Sequence, residues 1–309
     1  MRDQHMPQVD PSQFTETNHP ALHYQQMLAD HLRMQRYRQA IVQTVRTGDL
    51  VADLGTGLGV LALMAVQAGA ARVVAVDNRL NALWMAERIL RSNPGGDRVV
   101  LINADARSAR LDEPVDLIVN ELIGDFGTDE NIHECVSAFA DSNLKPAGSV
   151  LPDRLQTYLV PVEYGDEFRG IWRQDYFGLD LRAGMQYGCR EQAVMYNLRE
   201  QPKELAAPGL VENIRFGRDM PSRTRPVDLT FEIITGSGRL QGFVGYFSAT
   251  LSDGIVISNY PCYPTCHWQN WHWPVAPPVD VEPGQSVTVS LDLQPNMVAS
   301  GWRMDWEIL

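Results

Sequence analysis

Beginning at residue 50, short apolar runs alternate with stretches whose apolar residues recur at helical spacing. That alternation predicts strands at Leu50–Leu54, Arg72–Asp77, Val99–Asn103 and Asp116–Glu121, with helices over Val60–Ala68 and Asn81–Ser92. Strands and helices in alternation make a parallel sheet covered by helices. Asn93-Pro94-Gly95-Gly96 stops the second helix, because proline has no N–H to donate and glycine leaves the helix readily. Upstream, Met27, Leu28, Leu32, Tyr37 and Ile41 stand at helical spacing within His19–Thr47, which predicts one or two helices before the sheet. Past Pro152 the period changes to two. Gln156–Val162, Asp228–Thr235, Gly242–Leu251 and Ser286–Leu293 read as antiparallel strands, and Asp253-Gly254 supplies a tight hairpin turn. Trp172–Tyr196, rich in aromatics, arginine and glycine, reads as an insert among them.

A chain of 309 residues is long enough for two domains with full cores. The expected division is a flexible tail over 1–20, an α/β domain over 21–151 with cover helices at its start, and a β domain over 152–309 whose insert, about 168–196, forms an arm. Hydrophobic residues make up 44% and charged residues 21%, ordinary for a globular chain. The net charge of −12 disfavours nucleic acid and anionic membranes as partners and favours a cationic one. The first twenty residues lack the apolar run of a signal peptide, which predicts a cytoplasmic protein. Gly57–Val76 has the length of a membrane span, yet Gln67, Gly69 and Arg72 divide it into a helix and a strand. Cysteines at 135, 189, 262 and 266 are too few for a disulfide framework and read as reduced thiols. Cys262, Cys266, His267 and His272 crowd together without the separated ligand pairs of a tetrahedral zinc site, so no metal is expected.

Val51-Ala52-Asp53-Leu54-Gly55-Thr56-Gly57-Leu58-Gly59 ends the first strand and opens a helix. Its glycines allow a ligand close to the backbone at the carboxyl edge of the sheet. The G-x-G-x-G spacing lowers the case for a pyrophosphate and suits S-adenosylmethionine, which has no phosphate. Asp77 ends the second strand, where a carboxylate can accept from both ribose hydroxyls; capping the next helix is its bland alternative. Asp105, after the third strand, is placed for an adenine amino group, and the N–H of Ala106 for a ring nitrogen. After the fourth strand, Glu121 and Glu130 bracket an apolar, glycine-bearing loop. Two carboxylates on one loop can both accept from a planar guanidinium, whose donors form a rigid fork. Two solvated surface acids are the plain alternative.

With these residues placed, nearly all of the chain beyond about residue 20 resembles the protein arginine N-methyltransferases. Asn120-Glu121-Leu122-Ile123-Gly124-Asp125-Phe126 through Glu130, Glu134 and Cys135 is most similar to the double-glutamate loop of the symmetric-dimethylating branch, and Asp105-Ala106-Arg107 matches that branch's adenine-contacting triplet at two of three positions. Met27-Leu28-x-Asp30-x-x-Arg33-x-x-x-Tyr37 is similar to the helix that folds over the cofactor. Lys145-Pro146-x-Gly148 through Arg154 resembles the hinge into a β-barrel, and Cys266-His267-Trp268 the threonine-histidine-tryptophan loop. The resemblance implies a Rossmann-like methyltransferase domain followed by a β-barrel, with an arm that makes a head-to-tail homodimer.

For the cofactor it implies Tyr24, Met27, Arg33 on the methionine carboxylate, Asp53, Gly55, Gly57, Asp77, Asp105 and Ala106. For the substrate it implies Glu121 and Glu130 on the guanidinium, a His267–Asp30 dyad and Trp268 as a wall. The expected reaction is methyl transfer to a guanidino nitrogen of protein arginine, free arginine or a related metabolite. Two other readings are a silent scaffold of this fold and methylation of a non-guanidino amine. The family's N-terminal Tyr-Phe-x-x-Tyr element lacks a clear counterpart. Asp125 stands where relatives carry a hydrophobic, aromatic or small hydroxyl residue, and Met27 is like the asymmetric and monomethylating branches. Product multiplicity is therefore open.

Overall fold

The structure is a computed structural model that describes residues 20–165, 177–181, 193–196, 198, 200–223, 226–234, 236–260, 263, 266–292 and 302–309. The tail up to residue 19, most of the expected arm, Cys189 and Cys262 lie outside the described residues.

The expected cover segment is two helices, α1 (Pro20–Ala29) and α2 (His31–Thr44). Asp30 separates them, its carboxylate accepting from the N–H of Arg33 as the N-cap of α2. There follow β1 (Leu50–Leu54), α3 (Val60–Ala68), β2 (Arg72–Asp77), α4 (Leu80–Arg91), β3 (Val99–Asn103), β4 (Val115–Asn120), α5 (Ile132–Asn143) and β5 (Leu144–Leu151). The five strands form a parallel sheet in the order β3-β2-β1-β4-β5. β1 and β4 are neighbours although β2 and β3 intervene in sequence, so the strand order reverses there. At such a reversal the loops leaving two adjacent strands part and open a crevice. Leu54 is in register with Asn120, so Gly55 and Glu121 emerge side by side.

Beyond the parallel sheet lie β6 (Arg154–Glu163), β7 (Val194–Tyr196), β8 (Lys203–Glu204), β9 (Gly209–Arg215), β10 (Val227–Glu232), β11 (Gly238–Ser252), β12 (Ile255–Ser258), β13 (Asn270–Val281), β14 (Ser286–Asp292) and β15 (Arg303–Ile308). A seven-stranded sheet runs β7-β13-β11-β6-β8, with β12 on β11 and β9 on β6, and a second sheet runs β10-β14-β15. The Asp253-Gly254 turn joins β11 to β12 as expected.

One apolar core spans both halves: Tyr37 and Ile41 of α2, Leu54 of β1 and Ile118 of β4 are continuous with Leu155, Phe247, Ala249, Leu251 and Trp268 from the β half. Fully burying a side chain of this kind contributes about 1.5–3 kcal/mol. A second core, centred on Phe126, Phe243, Trp271 and Trp273, fills the space between the β sheets. Phe126 belongs to the loop after β4, so the double-glutamate loop is pinned by one apolar anchor in the β half. No helix among the described residues is long and apolar enough to cross a membrane.

Candidate active site

Gly55 and Gly57 both adopt left-handed backbone, at φ 68° and 52°, where glycine alone is unstrained. A Cβ on Gly57 would lie 2.8 Å from the Tyr24 ring, and one on Gly55 would lie 2.6 Å from Leu122. Loop and cover helix therefore meet only because these positions carry no side chain. Asp53 lies beneath the loop, almost wholly buried. It accepts from Thr56 Oγ1 at 2.6 Å and from the N–H of Ala62 at 3.1 Å. Burial pushes its carboxyl up to about 7, opposed by those two hydrogen bonds. Asp77 ties β2 to the same loop, accepting from the N–H of Gly57 at 2.9 Å and of Arg79 at 2.8 Å. The Arg79 guanidinium lies 5.4 Å from the centre of the Tyr24 ring and reaches across to the cover helix.

These elements enclose a cleft of about 750 Å³ including its open mouth, lined by Tyr24, Met27, Arg33, Gly55, Gly57, Arg79, Glu121 and Glu130 among others. Its lining suits a nucleoside joined to a sulfonium amino acid: a glycine cradle, the glutamates Glu121 and Glu130 after β4, and two arginines, Arg33 and Arg79. A second cleft opens on the other side of the same wall, lined by Gln26, Met27, Glu121, Ile123, Asp125, Glu130, Cys266, His267, Trp268 and Gln269. Met27, Glu121 and Glu130 face both.

The residues shared by the two clefts come from α1 and the loop after β4, with Arg33 of α2 paired to Glu121. Arg33 Nη1 is ion-paired with Glu121, and Arg33 Nη2 donates to the Met27 carbonyl at 2.7 Å. Burial raises the Glu121 pKa, Arg33 opposes it and Glu130 adds repulsion. Glu130 reaches solvent, yet protein crowds its carboxylate. Loss of surrounding water is the first cause that lifts it to about 7, followed by Asp129 and Asp125, with Arg79 opposing. Gly124 makes the loop possible, since a Cβ there would fall 2.1 Å from Asp129 Oδ1. That oxygen accepts from the N–H of Phe126 at 2.9 Å, and Asp129 Oδ2 from Trp271 Nε1 at 2.9 Å.

Asp30 Oδ2 accepts from the N–H of His267 at 3.0 Å and lies 3.1 Å from His267 Nδ1, so the capped end of α2 is fastened to the 266–269 loop. Burial works against the Asp30 carboxylate, but the hydrogen bonds from His267 and Arg33 outweigh it and hold its pKa low. Trp268 donates from Nε1 to the Ile123 carbonyl at 2.9 Å and meets Phe247 edge-on. Its ring centre lies 5.8 Å from the Arg33 guanidinium carbon.

The family model described as PRMT5 arginine-N-methyltransferase matches residues 4–151. A probable protein arginine N-methyltransferase 6 of Arabidopsis thaliana is 28% identical, covering 92% of this chain and 75% of that protein. Protein arginine N-methyltransferase 6 of Xenopus tropicalis is 27% identical over 88% of this chain and 84% of its own length. The chain is similar to protein arginine N-methyltransferases over most of its length. It spans about half of the longer rice relatives called probable histone-arginine methyltransferase CARM1, 54% of their length. Among solved structures, a Trypanosoma brucei PRMT1 enzyme-prozyme complex with AdoHcy superposes with a TM-score of 0.76 at 19% identity, covering 95% of this chain and 94% of that one. Arabidopsis thaliana protein arginine methyltransferase 10 gives 0.73 at 23%, covering 93% and 96%. Both likenesses carry the fold.

The fold brings Tyr24, Met27, Arg33, Gly55, Gly57, Glu121 and Glu130 onto one cleft, with His267 and Trp268 at the adjoining one and Asp30 against His267. Asp53, Asp77, Asp105 and Ala106 stand outside the lining of that cleft: Asp53 Oδ2 accepts from Thr56 and Ala62 beneath the glycine loop, Asp77 holds the N–H groups of Gly57 and Arg79, and Asp105 pairs with Arg107 at 2.5 Å. That pairing, through the hydrogen bonds from Arg107, lowers the Asp105 pKa to about 2. The first strand-end acid is buried and the third only half-buried, a distinction that spacing does not encode. Sequence reasoning missed Asp129 and Trp271, which brace the loop, and Arg79 in the cofactor cleft; the register of β13 against β11 that brings Trp271 there has no local signature.

Proposed function

We propose that this chain transfers the methyl group of S-adenosylmethionine to a guanidino nitrogen of arginine, in protein or as the free amino acid or a related metabolite. The observation that carries the reading is the shared wall: Glu121 and Glu130 border both the cofactor-side and the substrate-side clefts. A group held by those carboxylates from one side adjoins whatever fills the other. When bound, the cofactor supplies an electrophilic methyl on a sulfonium, and the protein's part is to bring one nitrogen to about 3 Å from that carbon in line with the C–S bond.

Glu121 and Glu130 orient the guanidinium and draw its positive charge toward the nitrogens that do not react, leaving lone-pair character on the one that does. A guanidinium with a pKa above about 12 is not deprotonated beforehand, so the proton leaves with or after transfer. His267, oriented by Asp30, stands on the substrate-side cleft where it can relay that proton. Asp125 adds a third carboxylate to this cleft, which suits a cationic substrate. Head-to-tail homodimerisation through the arm and a cytoplasmic setting complete the proposal. The unpaired thiols of Cys135 and Cys266 support that setting.

Labelled methyl donor offered with free arginine, other guanidino compounds and an Arg/Gly-rich peptide separates the substrate classes. We expect transfer to at least one guanidino acceptor, and Glu121→Gln and Glu130→Gln each to lower it at least ~100-fold, with cofactor affinity nearly intact in Glu130→Gln. An amide keeps the shape but loses the charge and presents donors to a group that has only donors, a loss of about 3–4 kcal/mol at the transition state. Near-normal turnover in both variants would refute the clamp.

A further inference from the structure

The loop that carries Glu130 is fixed at Thr128 by a buried ionic group outside both clefts. Arg223 follows β9 in a separate loop of the β half. Its Nε and Nη2 donate to the two carboxylate oxygens of Glu212, on β9, at 2.5 and 2.8 Å. The same Nη2 donates to Thr128 Oγ1 at 2.8 Å, and Nη1 lies 3.4 Å from Glu134 Oε1 on α5. Thr128 Oγ1 in turn donates to Glu212 Oε2 at 2.6 Å. The side chains of Arg223 and Glu212 are 5% and 7% exposed, and Thr128 is 2% exposed. A planar fork that uses both edges in one dry site has a single geometry.

Only one residue, Asp129, separates that anchor from Glu130. Thr128 is held by Arg223 and Glu212, and Asp129 by Phe126 and Trp271. Asn131, directly after Glu130, turns the chain at φ 63° into α5. The bonds that fix this loop thus fall on the two residues just before Glu130, and Glu130 is aimed by them. We propose that Arg223, acting through Thr128 and Glu212, is a positioning residue that sets Glu130 for the guanidino substrate. The β half then does more than wall the substrate cleft: it determines where one jaw of the clamp stands.

The activity readout rests on the proposed function, so it is paired with one that does not. Thr128→Val removes only the hydroxyl that the strut grips, while Arg223→Lys keeps the charge and loses the fork. Each should raise KM for the guanidino substrate at least ~5-fold and lower kcat/KM about 10- to 100-fold, with the Kd for S-adenosylmethionine changed less than ~2-fold. Amide exchange across residues 124–131 should quicken in both. The double variant should be no worse than the poorer single one, because both cuts fall in one chain of contacts. A role confined to folding would reduce the active fraction, and so kcat alone, in proportion to lost stability. Unchanged KM and exchange in Thr128→Val, or losses that multiply in the double variant, would overturn the proposal. A parent inactive on every guanidino compound counts against the methyl-transfer reading, and loop exchange still decides the strut.

Discussion

Glu130 carries its pKa near 7, well above an ordinary glutamate, and Glu121 is raised as well. A protonated carboxyl presents an O–H to a guanidinium that has only donors, so the clamp works ionised. We therefore expect kcat/KM to fall on the acid side with an apparent pKa near 7, reporting the clamp before substrate binds. The bound cation favours the charged carboxylates, so the acid limb of kcat should lie at lower pH. For stability the sign is opposite: between about 4.5 and 7 the folded chain holds protons that the unfolded chain releases, and this contribution to stability falls as pH rises through that window. Initial rates from pH 5 to 9 test the first claim. An acid limb of kcat/KM at 4 to 5 would show that these carboxylates are no more than solvated surface acids.

At the scale of elements, α2 is where the site's order is concentrated, because one carboxylate both caps the helix and holds the 266–269 loop. Asp30→Ala should cost about 1–2 kcal/mol for the cap and weaken cofactor binding, since Arg33 lies in the first turn of the helix it caps. Asp30→Asn, nearly as good a cap, should recover most of the stability but not the carboxylate that accepts from His267. Urea midpoints and calorimetry separate the two, and equal losses in both variants would refute the capping share. These elements also show what was legible. Strands buried on both faces read as apolar runs, so β1 to β4 were visible within a residue, though β4 ends at Asn120 and leaves Glu121 on the loop. β5 was hidden by Pro146 and Gly148, which its place at the sheet edge tolerates. β13 was hidden by Pro274, Pro277 and Pro278, beside the register shift between Leu240 and Gly242 of β11. Glu121 and Glu130 were legible because one loop carries both. The Arg223 strut was not, since its contact with Thr128 joins positions 95 apart in sequence.

Over the whole molecule, the shared core makes the two halves one mechanical unit around the clefts, and the charge of −12 draws a cationic substrate toward them. The remaining question at this scale is the number of chains. Phe177 and Leu179 are 89% and 59% exposed, in the aromatic insert where the resemblance puts a dimerisation arm. Large apolar side chains this exposed suit burial against another surface, and a second copy of this chain would supply one. We expect sedimentation to give a dimer at micromolar concentration. Phe177→Asp with Leu179→Asp should shift it to monomer, because two carboxylates cannot be buried in an apolar seat without losing their hydration. If the pair also steadies the cover helices, the monomeric variant should lose cofactor affinity and turnover together, whereas an arm that only links chains would leave both unchanged per protomer. A parent that sediments as a fully active monomer at all concentrations would sink the dimer outright.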